Sequence, residues 1–371
     1  MLTSATDTSA TYSSELPRQR ADWRASLNGD QHRGLRAWFW TIAAMTLAIV
    51  AIGGITRLTQ SGLSIVDWQP LVGAIPPLND TQWTEVFDRY REYPEYQQLR
   101  RGMSLAEFKV IFFWEYLHRL VARLIGIVFV IPCVYFWIRG RLPRPIAWRA
   151  LMLFGLGAMQ GIMGWLMVAS GLVDRPSVSH YRLAAHLGLA FMILGYATWL
   201  ARGLTRPRPT LTPAVRTATI RGLSVMGVLL LVQILWGAFV AGLRAGLIFN
   251  TFPLMGGQLL PPSGLALDPP IVNFVQNMTT VQWTHRLLGT IVLAASLMFY
   301  LRVRRLTRDR WMRRLNLTFV ALIASQYLLG VLTLLLRVPV SVAVLHQVTA
   351  GVIVVVWTAW MHATVGRQPQ Y

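Results

Sequence analysis

Apolar residues in this chain come in long uncharged runs rather than in the alternating or one-faced patterns of a soluble fold. The runs are Ala37–Ile55, Ala150–Val173, Leu183–Ala201, Gly222–Leu243, Leu315–Leu336 and a stretch opening at Val338. A helix rising about 1.5 Å per residue needs about 20 residues to cross a hydrocarbon core of about 30 Å, so each run predicts a membrane span. Two further runs, Leu124–Ile138 and Leu287–Leu301, are too short alone. They span only if the charged residues just before them sit at or inside the membrane boundary. The expected architecture is all-α, with eight transmembrane helices.

An internal repeat groups these spans. Gly53-Gly-Ile-Thr-Arg-Leu-Thr-Gln-Ser-Gly62-Leu63 follows the first span, and Gly237-Ala-Phe-Val-Ala-Gly-Leu-Arg-Ala-Gly246-Leu247 follows the fifth. Each continues into Pro-Leu-x-Gly (Pro70–Gly73, Pro253–Gly256) and then a proline pair (Pro76-Pro77, Pro261-Pro262). Trp114-Glu-Tyr-Leu-His118-Arg119-Leu120 opens the second span and Trp283-Thr-His285-Arg286-Leu287 the sixth. Spans three and seven share Gln-x-x-x-Gly (Gln160/Gly164, Gln326/Gly330), and spans four and eight carry early histidines, His186 and His346. The chain therefore divides into an N-terminal arm (1–35), a four-helix unit (36–202), a linker (203–215), a second four-helix unit (216–363) and a tail (364–371). Four spans per unit is an even number, which makes the units two tandem bundles in parallel-repeat relation. Large loops, 56–112 and 243–280, follow the first span of each unit, with a short amphipathic helix expected near Thr81–Tyr96.

Composition agrees: 54% of the 371 residues are hydrophobic and only 13% charged, about half the charge of an ordinary soluble domain. The net charge of +20 would suit nucleic acid, but its distribution does not. Arginines gather in the arm, between spans two and three, between four and five, and most densely between six and seven, with seven from Arg302 to Arg314. Alternate loops are poor in arginine or balance it with acids. This is the positive-inside pattern of a multi-pass protein with both termini in the cytoplasm, and it excludes nucleic acid as partner in favour of membrane lipid. Residues 1–36 contain no apolar run that would make a cleavable signal. The single cysteine, Cys133, rules out an internal disulfide and a thiolate cluster.

Candidate chemistry lies in the histidines. His118, His186, His285 and His346 sit early in spans two, four, six and eight, all running in the same direction and hence at similar depth. In an up-down bundle spans two and four are diagonal, so His118 faces His186 and His285 faces His346. Two opposed imidazoles in an apolar bundle make a bis-histidine haem site, whereas zinc would need a further ligand. A lone membrane histidine is as often a plain interhelical hydrogen-bonder; four at matching positions favour ligation. His32, His180 and His362 fit ordinary roles. Arg119 and Arg286 follow the first histidine of each pair, where they either meet the carboxylates of a porphyrin or snorkel to the interface.

The units differ at one informative place. Glu115 precedes His118 by three residues on the same face, and Gln282 occupies that place in the second unit. Glu115 and Arg119 are also an i, i+4 pair, worth about 0–1 kcal/mol at an interface. A carboxylate in one of two near-identical sites nevertheless suggests that one unit does chemistry while the other holds a cofactor.

From the arm onward, these segments resemble the haem A synthase family. Glu115-Tyr-Leu-His118-Arg119-Leu120 and Gln282-Trp-Thr-His285-Arg286-Leu287 carry the likeness, with Thr56–Ser64, Asp67-Trp68 and Pro70. The resemblance implies an oxidoreductase acting on a CH group, which turns the C8 methyl of haem O into the formyl of haem A for terminal oxidases by two successive hydroxylations. It implies a resident haem b on His285 and His346; Arg286 and Arg119 are the cofactor-binding candidates on the carboxylate-pairing reading above. Substrate haem would sit on His118 and His186, with Glu115 assisting. It further implies a bacterial plasma-membrane protein of the cysteine-lacking type, working near the haem O-forming farnesyltransferase and oxidase assembly factors. The rival reading is a di-haem b-type electron-transfer protein, which would need no Glu115.

Overall fold

The structure is a computed structural model that describes residues 29–66, 75–171, 178–204, 211–259 and 263–365. Most of the arm, the His32 side chain, Asp67-Trp68, Pro70–Gly73, Arg206, Arg208, Pro261-Pro262 and the tail beyond 365 lie outside those residues. Among the described residues the regular structure is helical: α1 (Gly29–Leu58), α2 (Asp80–Arg91), α3 (Pro94–Leu99), α4 (Leu105–Ile138), α5 (Arg144–Gly171), α6 (His180–Gly203), α7 (Pro213–Gly242), α8 (Asn273–Gln276), α9 (Met278–Leu306), α10 (Arg310–Leu335) and α11 (Val340–Val365). Eight of them, α1, α4, α5, α6, α7, α9, α10 and α11, are long and apolar enough to cross a membrane.

The two short apolar runs are parts of longer helices. α4 has 34 residues and α9 has 29, so the charged residues before each run, including Glu115, Arg119 and Arg286, lie within the helix. Local chemistry sets these starts. Ser104 and Glu107 form a capping box: the Glu107 N–H donates to Ser104 Oγ (3.3 Å), and the Ser104 N–H donates to Glu107 Oε2 (2.8 Å). The reciprocal bonds satisfy two donors that an uncapped terminus would orphan. α4 therefore begins at 105, and the first large connection runs from 59 to 104, shorter than the expected 56–112. Asn277 caps α9 by accepting from the Thr279 N–H at 2.9 Å. α7 opens at Pro213 behind the Thr212 cap, inside the expected linker, because proline at a first helical turn sacrifices no hydrogen bond.

The expected amphipathic helix near 81–96 is two helices. Pro94 holds Tyr93 in an extended conformation, which ends α2 and starts α3. Phe87 and Tyr90 of α2 pack on Phe108, Ile111 and Phe112 of α4. The cap is thus a small apolar core built onto the outward extension of α4.

α1, α4, α5 and α6 pack as a ring in chain order, as do α7, α9, α10 and α11. Consecutive helices are neighbours, so α4 and α6 are diagonal in one ring and α9 and α11 in the other. The rings meet through α1 and α6 against α7 and α11. Leu35, Phe39, Leu194 and Ala197 are buried in the first ring's core, and Leu223, Phe319 and Trp360 in the second's. The outward faces of α4 and α5 instead expose Ile131, Trp137, Trp148 and Met152. Apolar exposure along whole helices suits hydrocarbon, where backbone groups must be bonded internally; the Val128 carbonyl, which Pro132 leaves without its helical donor, accepts from Trp38 Nε1 at 3.2 Å.

Candidate haem site

His186, His285 and His346 lie within about the first two turns of α6, α9 and α11. His118 sits deeper in α4 only because that helix begins in the cap. The helices that carry each expected pair, α4 and α6 for His118 and His186, α9 and α11 for His285 and His346, are diagonal in their rings, and His285 and His346 line one cavity.

Each ring rests on a glycine of the neighbouring odd-numbered span. A Cβ added at Gly53 of α1 would lie 2.9 Å from His118 Cε1, and at Gly164 of α5 3.4 Å from His186 Cε1. At Gly237 of α7 it would lie 3.0 Å from His285 Cε1, and at Gly330 of α10 3.0 Å from His346 Cε1. Any side chain at Gly53, Gly237 or Gly330 would push the ring away. The same four glycines stand in the two repeated sequence motifs, but their function as seats for the rings follows only from the helix packing.

Glutamines hold three of the four rings. Gln160 Nε2 lies 3.3 Å from His186 Nε2, Gln326 Nε2 3.3 Å from His346 Nε2, and Gln233 Nε2 3.5 Å from His285 Nε2. Gln160 and Gln233 also donate to the backbone carbonyls of His186 and His285. Ile49 occupies the position of α1 that corresponds to Gln233 of α7, so His118 lacks this support. Sequence reading registered Gln160 and Gln326 as shared and missed Gln233; its place four residues before Gly237 was the available signal. In all four histidines Nδ1 is buried without a hydrogen-bond partner. A buried ring nitrogen left unpaired is costly unless another group completes the site.

His285 and His346 line a cavity of about 380 Å³ between α7, α9, α10 and α11, which reaches Gly54, Arg57 and Phe191 of the other ring. Its walls are mainly apolar, with arginines among the polar lining residues, the make-up of a cofactor pocket. Two imidazoles lining one cavity, glycine seats that admit a flat ring and guanidiniums for carboxylates all fit a haem.

The environment of Glu115 differs in kind. Its side chain is buried, and three donors engage it: Ser64 Oγ at 2.7 Å and the Ile65 N–H at 2.9 Å on Oε2, and Arg119 Nη2 at 2.6 Å on Oε1. Arg119 also donates to the Ile65 carbonyl at 2.8 Å. In the second ring Gln282 Nε2 donates to the Phe249 carbonyl (3.0 Å), as does Arg286 Nη2 (2.8 Å), while Arg286 Nη1 donates to the Thr251 carbonyl. Ile65 and Phe249 occupy the same place after Gly53 and Gly237. Both arginines thus clip the loop that follows the first span of their unit to the helix that carries the first histidine. His180 packs against Phe239 of α7 and His362 against Trp199.

The chain is similar to known proteins along most of its length. The COX15-CtaA family, described as cytochrome oxidase assembly protein, matches residues 36–358. A haem A synthase of Nitrosospira multiformis is 45% identical over 336 residues, covering 89% of this chain and 93% of the relative. One from a Methylobacterium species is 46% identical over 335 residues, covering 90% and 92%. One from Nitrosomonas eutropha is 44% identical over 321 residues, covering 86% and 90%.

Proposed function

The chain belongs to the haem A synthase family, and from that premise we propose how its four histidines divide the work. It is a multi-pass membrane oxidoreductase acting on haem O, and it serves cytochrome oxidase assembly. His118 and His186 hold the substrate haem, and His285 and His346 hold a resident haem b. The observation that carries this division is the asymmetry between two like sites. The second pair has a glutamine on each ring and borders a cavity of about 380 Å³. The first leaves His118 without a glutamine, beside the one carboxylate. A permanent cofactor favours ligands locked in place, whereas a substrate must leave.

Conversion of the methyl to the formyl passes through two hydroxylations at one carbon and loss of water from the geminal diol. Each hydroxylation withdraws electrons from that carbon. A resident haem b supplies reversible one-electron transfer when bound. Glu115 supplies a fixed negative charge near the substrate edge. With three donors on its two oxygens it is held in place, which suits stabilisation of developing positive charge better than carriage of a proton.

The two units, expected at 36–202 and 216–363, correspond to the rings α1–α6 and α7–α11, and we read them as parallel repeats. The arginine distribution supports cytoplasmic termini in a bacterial plasma membrane. The haem O-forming farnesyltransferase is the natural supplier, since its product is an apolar membrane solute.

Expression in cells that make haem O, with extraction and chromatography of the haems, tests the reading. Haem A in the extract supports it. Haem B alone, with both histidine pairs permanently ligated, would make the protein a di-haem electron carrier instead.

A further inference from the structure

Three arginines line the cavity at His285 and His346: Arg57, Arg244 and Arg286. Among the described residues none of them has a carboxylate partner; Arg57 and Arg286 are half-buried and Arg244 is exposed. Partly buried guanidiniums such as Arg57 and Arg286, without a counter-charge at a mainly apolar cavity, are costly, so the arrangement calls for an anion.

Arg57 belongs to the other ring. It stands in the last turn of α1 and reaches across, donating from Nη2 to the carbonyls of Ala241 (3.1 Å) and Gly242 (2.9 Å) at the end of α7. Its Nε is buried with no partner, as is that of Arg286, whose Nη atoms are likewise spent on carbonyls. The repeat makes this contact more telling. Ala241 is the position of the second unit that corresponds to Arg57, and Arg244 corresponds to Gln60. Gln60 and Arg244 share a left-handed backbone, φ 54° in each. The second unit therefore lacks a cation at one of these places, and the first unit's arginine fills it. α1 is close-packed here: a Cβ at Gly54 would lie 2.6 Å from Gln347 Oε1, beside His346.

We propose that Arg57, supplied across the inter-unit interface, binds a carboxylate of the porphyrin held by His285 and His346, with Arg244 completing the anion site. The proposal rests on that pair holding the resident haem. Arg57 thereby makes the cofactor site of one unit depend on the other, through the helix whose Gly53 seats His118.

The test follows haem transfer from purified, haem-loaded protein to an excess of a soluble haem acceptor. Arg57→Gln keeps a donor for the carbonyls of Ala241 and Gly242 but removes the charge, and Arg57→Lys keeps the charge without the planar fork. Losing a charge-assisted bond of this kind corresponds to about tenfold or more in off-rate. Arg57→Gln should therefore release haem b at least about tenfold faster than the unmodified chain, with Arg57→Lys in between. Loading with the dimethyl ester of haem b, which has no carboxylate, should abolish the difference. Equal release of haem b from Arg57→Gln and the unmodified chain would overturn the proposal. So would an equal acceleration for the ester, which would make Arg57 a packing residue. His285→Ala is the control for the underlying assignment: if it retains the low-spin spectrum, the cofactor lies elsewhere and the clamp falls with it.

Discussion

Glu115 and Gln282 hold matching points of their loops with opposite polarity. Glu115 accepts the backbone N–H of Ile65 at 2.9 Å, whereas Gln282 donates to the backbone carbonyl of Phe249 at 3.0 Å. The exchange of carboxylate for amide is therefore built into two different loop geometries, and neither residue would simply substitute for the other.

That geometry changes what is expected of Glu115→Gln. The estimate of about 0–1 kcal/mol for the Glu115–Arg119 pair applies to exposed ions. Here the side chains are only 4% and 12% exposed. An amide facing three donors must turn its NH₂ toward one of them, and a buried unsatisfied donor costs about 1–3 kcal/mol. The variant should lose some stability, as should Arg119→Gln. Output of haem A should fall by about 10²–10³ in Glu115→Gln, with resident haem still bound, as read by chromatography and the absorbance spectrum. Near-normal turnover there would reduce Glu115 to a loop anchor.

The histidine pairs should separate cleanly. His285→Ala and His346→Ala should each lose most of the low-spin haem b absorbance of the purified protein. His118→Ala and His186→Ala should keep it and make little or no haem A. The opposite pattern would exchange the functions of the two rings.

The glycine seats give a graded series. Replacement by alanine at Gly330 puts a methyl 3.0 Å from His346 Cε1, and at Gly53 2.9 Å from His118 Cε1, whereas Gly164 leaves 3.4 Å to His186. Overpacking of the tighter kind costs roughly 1–3 kcal/mol. Gly330→Ala should weaken the haem b spectrum. Gly53→Ala should spare the spectrum and lower haem A output, and Gly164→Ala should be mild in both assays. An effect of Gly164→Ala as large as that of Gly53→Ala would show that ring seating does not control ligation.

Orientation is accessible to labelling. With Cys133 replaced, a cysteine at the exposed position 268 should react with an impermeant reagent from outside, and one between 302 and 314 only from the cytoplasm. Reaction at 268 from the cytoplasm alone would invert the topology.

The eight spans and the four histidines were legible because both follow from one-dimensional regularities, apolar run length and a repeated motif. The true length of α4 was less so: its start depends on a capping box at Ser104 and Glu107, well before the apolar run that opens at Leu124, in sequence that also reads as loop. The break at Pro94 turned one expected helix into two. What sequence could not supply is contact between elements. Gly237 beside His285, Gln233 on that ring and Arg57 across the interface each join residues about 50 or more positions apart, and only packing brings them together. Ile49 opposite Gln233 is visible in an alignment of the repeats, yet it gains meaning only once Gln233 is seen to touch a ligand.

Glu95 offers a test of the helical cap built on α4, independent of the haems. It lies in α3, nearly buried, with Arg100 Nε 3.6 Å away. Burial pushes its carboxyl up to about 7, against the opposing pull of Arg100, and the charge of Glu115 adds to the rise. An acid whose folded value exceeds its unfolded value of about 4.5 binds more protons when folded. Its ionisation therefore opposes folding: the penalty is absent below about pH 4.5, grows as pH rises toward 7, and is constant above. The shift corresponds to a penalty on the order of 3 kcal/mol at most. Glu95→Gln keeps the shape and removes the penalty. Thermal unfolding in detergent should give nearly equal midpoints for the two proteins at pH 5 and a higher midpoint for Glu95→Gln at pH 8. A variant less stable than the unmodified chain at pH 8 would mean that the ion pair with Arg100 outweighs the cost of burial.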